Sequence, residues 1–359
     1  MEKIKAALIG LGRIASLLEE DSLREKPCTH TGAITANPDC VLVAGCDIDE
    51  ERRRLYSQKW QVPAYADAVE MIRAHQPQIL VIATHPDSHY HYCRIAAAEA
   101  VPLVVCEKPL ADSIMQARKI ARLAEKGLII ITNHERRYSA DYIRAKGIME
   151  ASFADADGGR LGRLLSVRAN LYMGINRRLV DVLWHDGTHL ADAIMFLTGM
   201  VLRHRRFWGS ALSSRSGTVW LEGELRIVNY CKQFDRVVNK TYSRTTPLIP
   251  DSRSPIPVLM EIGAGRDHLV FEIEFSCERG RLRIGNGVFE IWESVPSPYA
   301  ENFRSLKQIN ETFDGITGYF SNMIKDAVDC LHDTERQPRS SALDGLRVIE
   351  YLNSVMAWR

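Results

Sequence analysis

Four clusters of residues have types and spacings that suit chemistry on a small molecule. The first is Gly10-Leu11-Gly12-Arg13-Ile14-Ala15, directly after the apolar run Ile4–Ile9. Dinucleotide binding needs a glycine at a tight turn, a second where backbone meets the pyrophosphate, and a small residue where helix packs on strand. Gly10, Gly12 and Ala15 fill these roles. Arg13 and Ile14 open the following helix, whose free N–H groups and positive dipole end face the phosphates. The second is Asp47, which closes the run Val43-Ala44-Gly45-Cys46. An acid there accepts hydrogen bonds from the adenosine ribose and repels a 2′-phosphate, which favours NAD. Arg52, Arg53 and Arg54 follow it and keep NADP as the alternative. Asp47 lies further from Gly12 than the usual spacing of about 20 residues, so Leu17–Thr29, which is charged and ends in Lys26-Pro27-Cys28, reads as an insertion.

The third cluster is Glu107-Lys108-Pro109 at the end of Leu103–Cys106. A lysine at the carboxyl end of a buried strand can bond a substrate hydroxyl or carbonyl and stabilise a developing alkoxide, and Pro109 stiffens the turn that aims it. The fourth is His185-Asp186-Gly187-Thr188-His189-Leu190-Ala191-Asp192. On a helix, His185, His189 and Asp192 share one face. A histidine there can relay the proton that accompanies hydride transfer. The same HxxxH pair also reads as half of a zinc site or as a structural polar cluster.

The elements that must position these residues are legible as periodicities. Ile4–Ile9, Val41–Cys46, Ile79–Ala83, Leu103–Cys106 and Ile129–Thr132 are continuous apolar runs, as in strands of a parallel sheet covered on both faces. Helical patterns alternate with them at Glu50–Gln58, Ala68–Ala74, His89–Ala100 and Ser113–Glu125, the last capped by Asp112 or Ser113. This is a doubly wound α/β domain, residues 1–133, whose ligands bind beyond the carboxyl ends of the strands. After Asn133 the texture changes. A helix at Asp141–Glu150 leads to a turn-rich piece, Asp155–Arg163. Segments of mixed polarity follow at Leu164–Tyr172, Val201–Trp208, Val219–Asn229, Leu269–Cys277, Gly280–Ile284 and Val288–Trp292, and predict a large, mainly antiparallel sheet. One helix, Val180–Leu197, interrupts them, Asn239–Pro257 reads as a long loop, and two amphipathic helices, Gly318–Leu331 and Ala342–Ala357, close a second α/β domain, 134–359.

Composition bounds the partners. In 359 residues, 46 Lys and Arg nearly cancel 45 Asp and Glu, which leaves no electrostatic footprint for nucleic acid or an anionic membrane surface. No apolar stretch approaches the roughly 18 residues of a membrane span, and the N-terminus lacks a signal-peptide pattern. The eight cysteines, among them Cys231, form no CxxC pair and read as reduced thiols of a cytoplasmic protein.

In this order, the four clusters resemble the Gfo/Idh/MocA family of NAD(P)-dependent oxidoreductases, which act mostly on sugars, cyclitols and their derivatives. Ala83-Thr84-His85-Pro86-Asp87-Ser88-His89 is similar to the family's Thr-Pro-x-x-His turn, and Gly187–Asp192 to its Gly-x-His-x-x-Asp. The resemblance implies a Rossmann domain followed by an α/β domain whose open sheet commonly forms a homodimer or homotetramer. It implies Lys108 as catalytic lysine and His189 as proton-transferring histidine. Thr84, Pro86, His89 and Glu107 then line the cofactor beside Gly10, Gly12, Arg13, Ile14, Asp47 and Lys108. Where inositol-dehydrogenase-like members often carry aspartate four residues before the histidine, this chain has His185, which is placed with the catalytic set. Asp186, next to it, and Arg137 in His134-Glu135-Arg136-Arg137-Tyr138 are placed with His185, His189 and Lys108 on the substrate, although Asp186 points about 100° away on an ideal helix. The insertion lids the pyrophosphate or reaches a neighbouring subunit. No metal is expected. The expected activity is hydride transfer between NAD, or alternatively NADP, and a secondary alcohol or ketone of a sugar-like small molecule. An NAD-dependent glycosidase of the same family and a non-catalytic dinucleotide sensor are the rivals.

Overall fold

The computed structural model describes residues 2–154, 158–227, 255–311 and 315–357. Most of the Asn239–Pro257 stretch, Cys231, the start of the Asp155–Arg163 turn region and the end of Val219–Asn229 lie outside them. The chain forms two compact units, Met1–Ala140 with Thr317–Glu350, and Asp141–Ile316 with Tyr351–Arg359.

The first unit is built on β1 (Ile4–Ile9), α1 (His30–Ala36), β2 (Cys40–Cys46), α2 (Glu50–Trp60), β3 (Ala64–Tyr65), α3 (Ala68–His75), β4 (Ile79–Ile82), α4 (His89–Ala98), β5 (Leu103–Cys106), α5 (Ile114–Glu125) and β6 (Ile129–Thr132). The strands form one parallel sheet in the order β3-β2-β1-β4-β5-β6. The reversal of order beside β1 is the topological switch point of a doubly wound sheet. Every residue of β4 and β5 is buried, which is why these runs are apolar without alternation. Short polar side chains start the helices: Asp49, Asp67 and Ser113 accept from the N–H of Arg52, Glu70 and Gln116. The two-residue β3 carries no apolar run and escaped the sequence reading.

Residues 317–350, which the sequence places in the C-terminal domain, pack with this first unit. After α6 (Ala140–Ala154) and the second unit's elements, the chain returns as α9 (Tyr319–His332). Its Phe320, Met323, Ile324, Ala327 and Val328 share a core with Ile4, Leu8, Val105, Ile131 and Tyr138. The start of α10 (Ala342–Met356) follows an isolated bridge from Ser341 to Ile131.

Among the described residues the second unit is built on a sheet of eight strands, β7 (Leu164–Tyr172), β8 (Val201–Gly209), β9 (Gly217–Arg226), β10 (Ile256–Ala264), β11 (Val270–Cys277), β12 (Gly280–Gly285), β13 (Val288–Pro296) and β14 (Arg304–Ile309), in the order β14-β13-β12-β11-β7-β10-β9-β8. Only β7 and β10 run parallel; the other neighbours are antiparallel. β10 begins inside the stretch read as a loop, where Pro255 and Pro257 flank Ile256, and the mostly exposed β14 gave no apolar signal. One face carries Val167, Ala169, Ile262, Ile273, Phe275 and Ile284, all buried. Helix α8 (Gly187–Thr198) packs against β7, β8 and β11. On the other face the strands alternate outward, and Arg283 pairs with Glu272 (2.7 Å) and Glu290 (3.6 Å) while Arg281 pairs with Glu274 and lies over Trp292.

Candidate functional site

Backbone bonds carry the register of the parallel sheet past the strand ends. Gly10 N–H donates to Cys46 O (2.8 Å), Ala83 to Ile9 O (2.8 Å), Glu107 to Ile82 O (2.9 Å) and Asn133 to Cys106 O (2.7 Å). They set Asp47, Gly10, Thr84, the Glu107-Lys108 pair and Asn133 along one carboxyl edge, the edge at which open α/β sheets take ligands.

The two glycines of the first cluster have different physical reasons. Gly10 has φ +87°, and a Cβ there would lie 2.7 Å from Ala83 O, so the close passage of β1 by the end of β4 excludes every other residue. At Gly12, by contrast, a Cβ would meet no heavy atom within 4 Å. Ser16 N–H donates to Gly12 O (3.1 Å) and Leu18 N–H to Arg13 O (3.0 Å). The N–H groups of Gly12, Arg13 and Ile14 therefore precede the first helical bond and are donors of a helix start. Open space at a bare Cα beside such donors fits a dinucleotide pyrophosphate.

The helix expected to run on from Gly12 is interrupted. Its first turn passes into a 3₁₀ turn, Leu17–Glu20, and α1 starts only at His30. Yet His30 N–H donates to Ile14 O (3.2 Å) and Thr31 N–H to Ala15 O (2.9 Å), so the start of α1 is tied to the turn that the glycine loop forms. The insertion thus separates the glycine turn from α1 in sequence, while the two stay hydrogen-bonded. Its ties are to its own unit. Glu19 accepts from Cys28 N–H and Thr29 Oγ1. Glu25 accepts from Thr317 N–H (2.8 Å), Thr317 Oγ1 (2.8 Å) and Gly318 N–H (2.7 Å), where α9 begins.

Asp47 is buried, with Oδ2 accepting from Leu11 N–H (2.8 Å) and Oδ1 from Asp49 N–H (2.9 Å). It fixes the glycine loop, and each oxygen keeps lone-pair capacity for a further donor. Arg53 Nη1 donates to the Asp47 and Ile48 carbonyls, Arg54 pairs with Glu51, and Arg52 lies 3.8 Å from Asp47.

Glu107 is the electrostatic centre of this edge. Its Oε1 accepts from His30 Nε2 (2.7 Å) and Asn133 Nδ2 (2.6 Å), and its Oε2 from Lys108 N–H (3.1 Å). Burial pushes its pKa up, but His30, Asn133 and the charge of Lys108 together hold it below the usual carboxylate value. Neither His30 nor Asn133 was singled out by the sequence. The contact spans 77 residues for one and 26 for the other, and His30 stands behind an insertion that hides its place in the helix.

His89 was expected at the cofactor. Its ring is buried, with Nδ1 at the Leu110 carbonyl (3.2 Å) and Nε2 at the Thr84 carbonyl (3.1 Å), and burial pushes its pKa down. In this geometry the ring lies between the Thr84 and Leu110 carbonyls, with one N–H to donate to one of them, instead of facing outward. Thr84 Oγ1 accepts from Ser88 Oγ (2.7 Å), and Pro86 starts a short 3₁₀ turn that leads into α4. Arg137 was expected on the substrate. It is buried in a short 3₁₀ turn, pairs with Asp344 (3.1 Å) and donates to Arg339 O (3.0 Å), which engages its guanidinium within the unit.

In the second unit the helix Val180–Leu197 is three pieces: α7 (Leu179–Asp181), a π-turn Val182–Asp186 and α8, ended by Gly199 in the left-handed region. A π-turn adds a residue per turn and recurs at functional sites. His185 sits in it and is exposed, so the expected common face holds within α8, for half-buried His189 and buried Asp192, and does not extend to His185 at α-helical spacing. Asp186 is paired with Arg177 (2.7 Å). Among the described residues no group of three or more His, Cys, Asp or Glu is placed to hold a metal, the seven cysteines are free and buried, and no helix is long and apolar enough to cross a membrane.

Residues 4–134 match the GFO_IDH_MocA model, described as an oxidoreductase family with an NAD-binding Rossmann fold. This stretch is similar to the NAD-binding Rossmann domain of the Gfo/Idh/MocA oxidoreductases. The chain is 27% identical over 173 residues to inositol 2-dehydrogenase of Salmonella paratyphi B (47% of this chain, 46% of the relative). It is 28% identical over 210 residues to D-apiose dehydrogenase of Paraburkholderia graminis (56% and 52%). It spans about a third to a half of the length of the curated relatives it matches. UDP-N-acetylglucosamine 3-dehydrogenase GnnA of Acidithiobacillus ferrooxidans shares the fold over 99% of this chain and 98% of that one, with TM-score 0.69 at 15% identity.

Proposed function

We propose that this chain is an NAD-dependent dehydrogenase or reductase acting on a secondary alcohol or ketone of a sugar, sugar acid or cyclitol. The observation that carries the reading is the carboxyl edge of the parallel sheet: a glycine loop with open space at Gly12 after β1, an acid at Asp47 after β2 and a lysine at 108 after β5. The names of the relatives, inositol and apiose dehydrogenases, support the substrate class. Asp47, with Arg53 and Arg54 turned to protein partners, supports NAD over NADP.

The cofactor supplies the hydride acceptor or donor at its nicotinamide. The Gly12–Ile14 donors hold its pyrophosphate and Asp47 its adenosine ribose. Lys108 polarises the substrate oxygen by its charge, and His189 takes up or returns the hydroxyl proton. The test is Lys108→Ala, assayed at the reduced-nicotinamide absorbance on a panel of inositols, aldoses, uronates and nucleotide sugars. NAD affinity should be kept and turnover fall by about 10² or more; equal turnover in the variant would refute the role of Lys108. We further propose a homo-oligomer formed through the outward face of the eight-stranded sheet. The Arg281, Arg283 and Trp292 face supports it, and sedimentation velocity of Arg283→Glu should show a smaller species.

A further inference from the structure

We infer that His30 is a positioning residue for Lys108, acting through the Glu107 carboxylate; the inference deepens the role proposed for Lys108 and rests on it. His30 is fully buried and its ring meets Phe320 edge-on at 5.1 Å. A carboxylate oxygen only accepts, so Nε2 carries the proton in the 2.7 Å bond to Glu107 Oε1. Nδ1 is buried and has no hydrogen-bond partner among the described residues. The side chain's polar tie is therefore spent on Glu107 alone. Asn133 is in the same position: its Nδ2 binds Glu107 Oε1, and its Oδ1 is buried with no hydrogen-bond partner among the described residues. Two side chains from different elements thus aim their donors at one oxygen.

The other oxygen, Oε2, accepts the Lys108 N–H. The amide from which the Lys108 side chain departs is held by a carboxylate that His30 and Asn133 hold in turn. His30 also opens the helix α1 that is tied to the glycine loop, through His30 N–H to Ile14 O and Thr31 N–H to Ala15 O. One buried carboxylate therefore joins the phosphate-binding turn to the lysine turn. A shift of the glycine loop is passed to Lys108 by charge-assisted hydrogen bonds, which are the short and directional kind.

The test compares His30→Phe, His30→Gln and Lys108→Ala in the full chain. Phenylalanine keeps the ring against Phe320 and deletes the donor; glutamine replaces the donor at similar reach. Two readouts are taken: amide hydrogen exchange of the peptide containing Lys108, which needs no reaction, and kcat and KM with NAD and myo-inositol. His30→Phe should raise exchange at Lys108 at least tenfold and lower kcat at least tenfold, with NAD affinity within about twofold. His30→Gln should restore most of both, and His30→Phe should cost nothing further in a Lys108→Ala background. Unchanged exchange in His30→Phe overturns the inference. So does raised exchange with kcat intact while Lys108→Ala is inactive, or an equal further loss in the double variant, which marks a merely structural role. If Lys108→Ala is itself fully active, the reading of Lys108 fails and the inferred catalytic link fails with it, while exchange still reports whether His30 holds the amide.

Discussion

Gly10 and Gly12 stand two residues apart, and the surroundings of each dictate opposite responses to one added methyl. At Gly10 an alanine would have to adopt φ +87°, at a cost of roughly 1–2 kcal/mol for an L-residue. Its Cβ would also press on the Ala83 carbonyl carbon and oxygen at 2.8 and 2.7 Å. That atom is backbone at the end of β4 and cannot swing aside, so overpacking adds about 1–3 kcal/mol. Gly10→Ala should therefore lose about 2–5 kcal/mol, or about 4–20 °C in Tm at roughly 2–4 °C per kcal/mol. Gly12 has neither a left-handed φ nor a neighbour within 4 Å. Gly12→Ala should leave Tm unchanged or slightly raised, by up to about 1 kcal/mol from a stiffer unfolded chain. If the open space belongs to a pyrophosphate, that same methyl weakens NAD binding at least tenfold, about 1.4 kcal/mol. Scanning fluorimetry and NADH fluorescence titration on the two variants make the comparison. A Gly12→Ala protein that binds NADH as tightly as the parent would refute the assignment of that space. One that melts as early as Gly10→Ala would refute the packing argument.

The remaining predictions concern the buried carboxylate and the insertion. Glu107 is held below 4.5, its unfolded-state value, so the stability it contributes is fully present above pH 4.5 and is lost as pH falls through the lower folded value. Urea unfolding between pH 6 and 3 should show that Glu107→Gln flattens the acid limb, and an unchanged slope would remove Glu107 as its source. Glu25→Ala removes the acceptor of three bonds at the start of α9 and should cost about 1 kcal/mol. Glu20→Ala, which breaks only an exposed pair with Lys59, should be neutral within about 0.5 kcal/mol by thermal denaturation.

The sequence by itself determined the parallel sheet and the order of its chemical groups. Strands buried on both faces must be apolar throughout, so Ile79–Ile82 and Leu103–Cys106 stand out as unbroken runs. A glycine at a strand-to-helix turn, an acid after the second apolar run and a lysine after Leu103–Cys106 follow at positions that local backbone geometry requires. Capping was legible for the same reason, since Ser113 accepts from Gln116 only three residues on. What tertiary structure alone decided is everything carried by contacts distant in sequence. The return of α9 to the first unit depends on Phe320 and Met323 finding Ile4 and Tyr138. Local periodicity marks these as an apolar face but cannot say against what. The π-turn under His185 is invisible to a 3.6-residue pattern because one extra residue in a turn leaves the apolar spacing on either side intact. His30 and Asn133 carry no motif. They matter because folding brings two hydrogen-bond donors onto one buried oxygen, and a lone carboxylate in that interior would be too costly to keep charged.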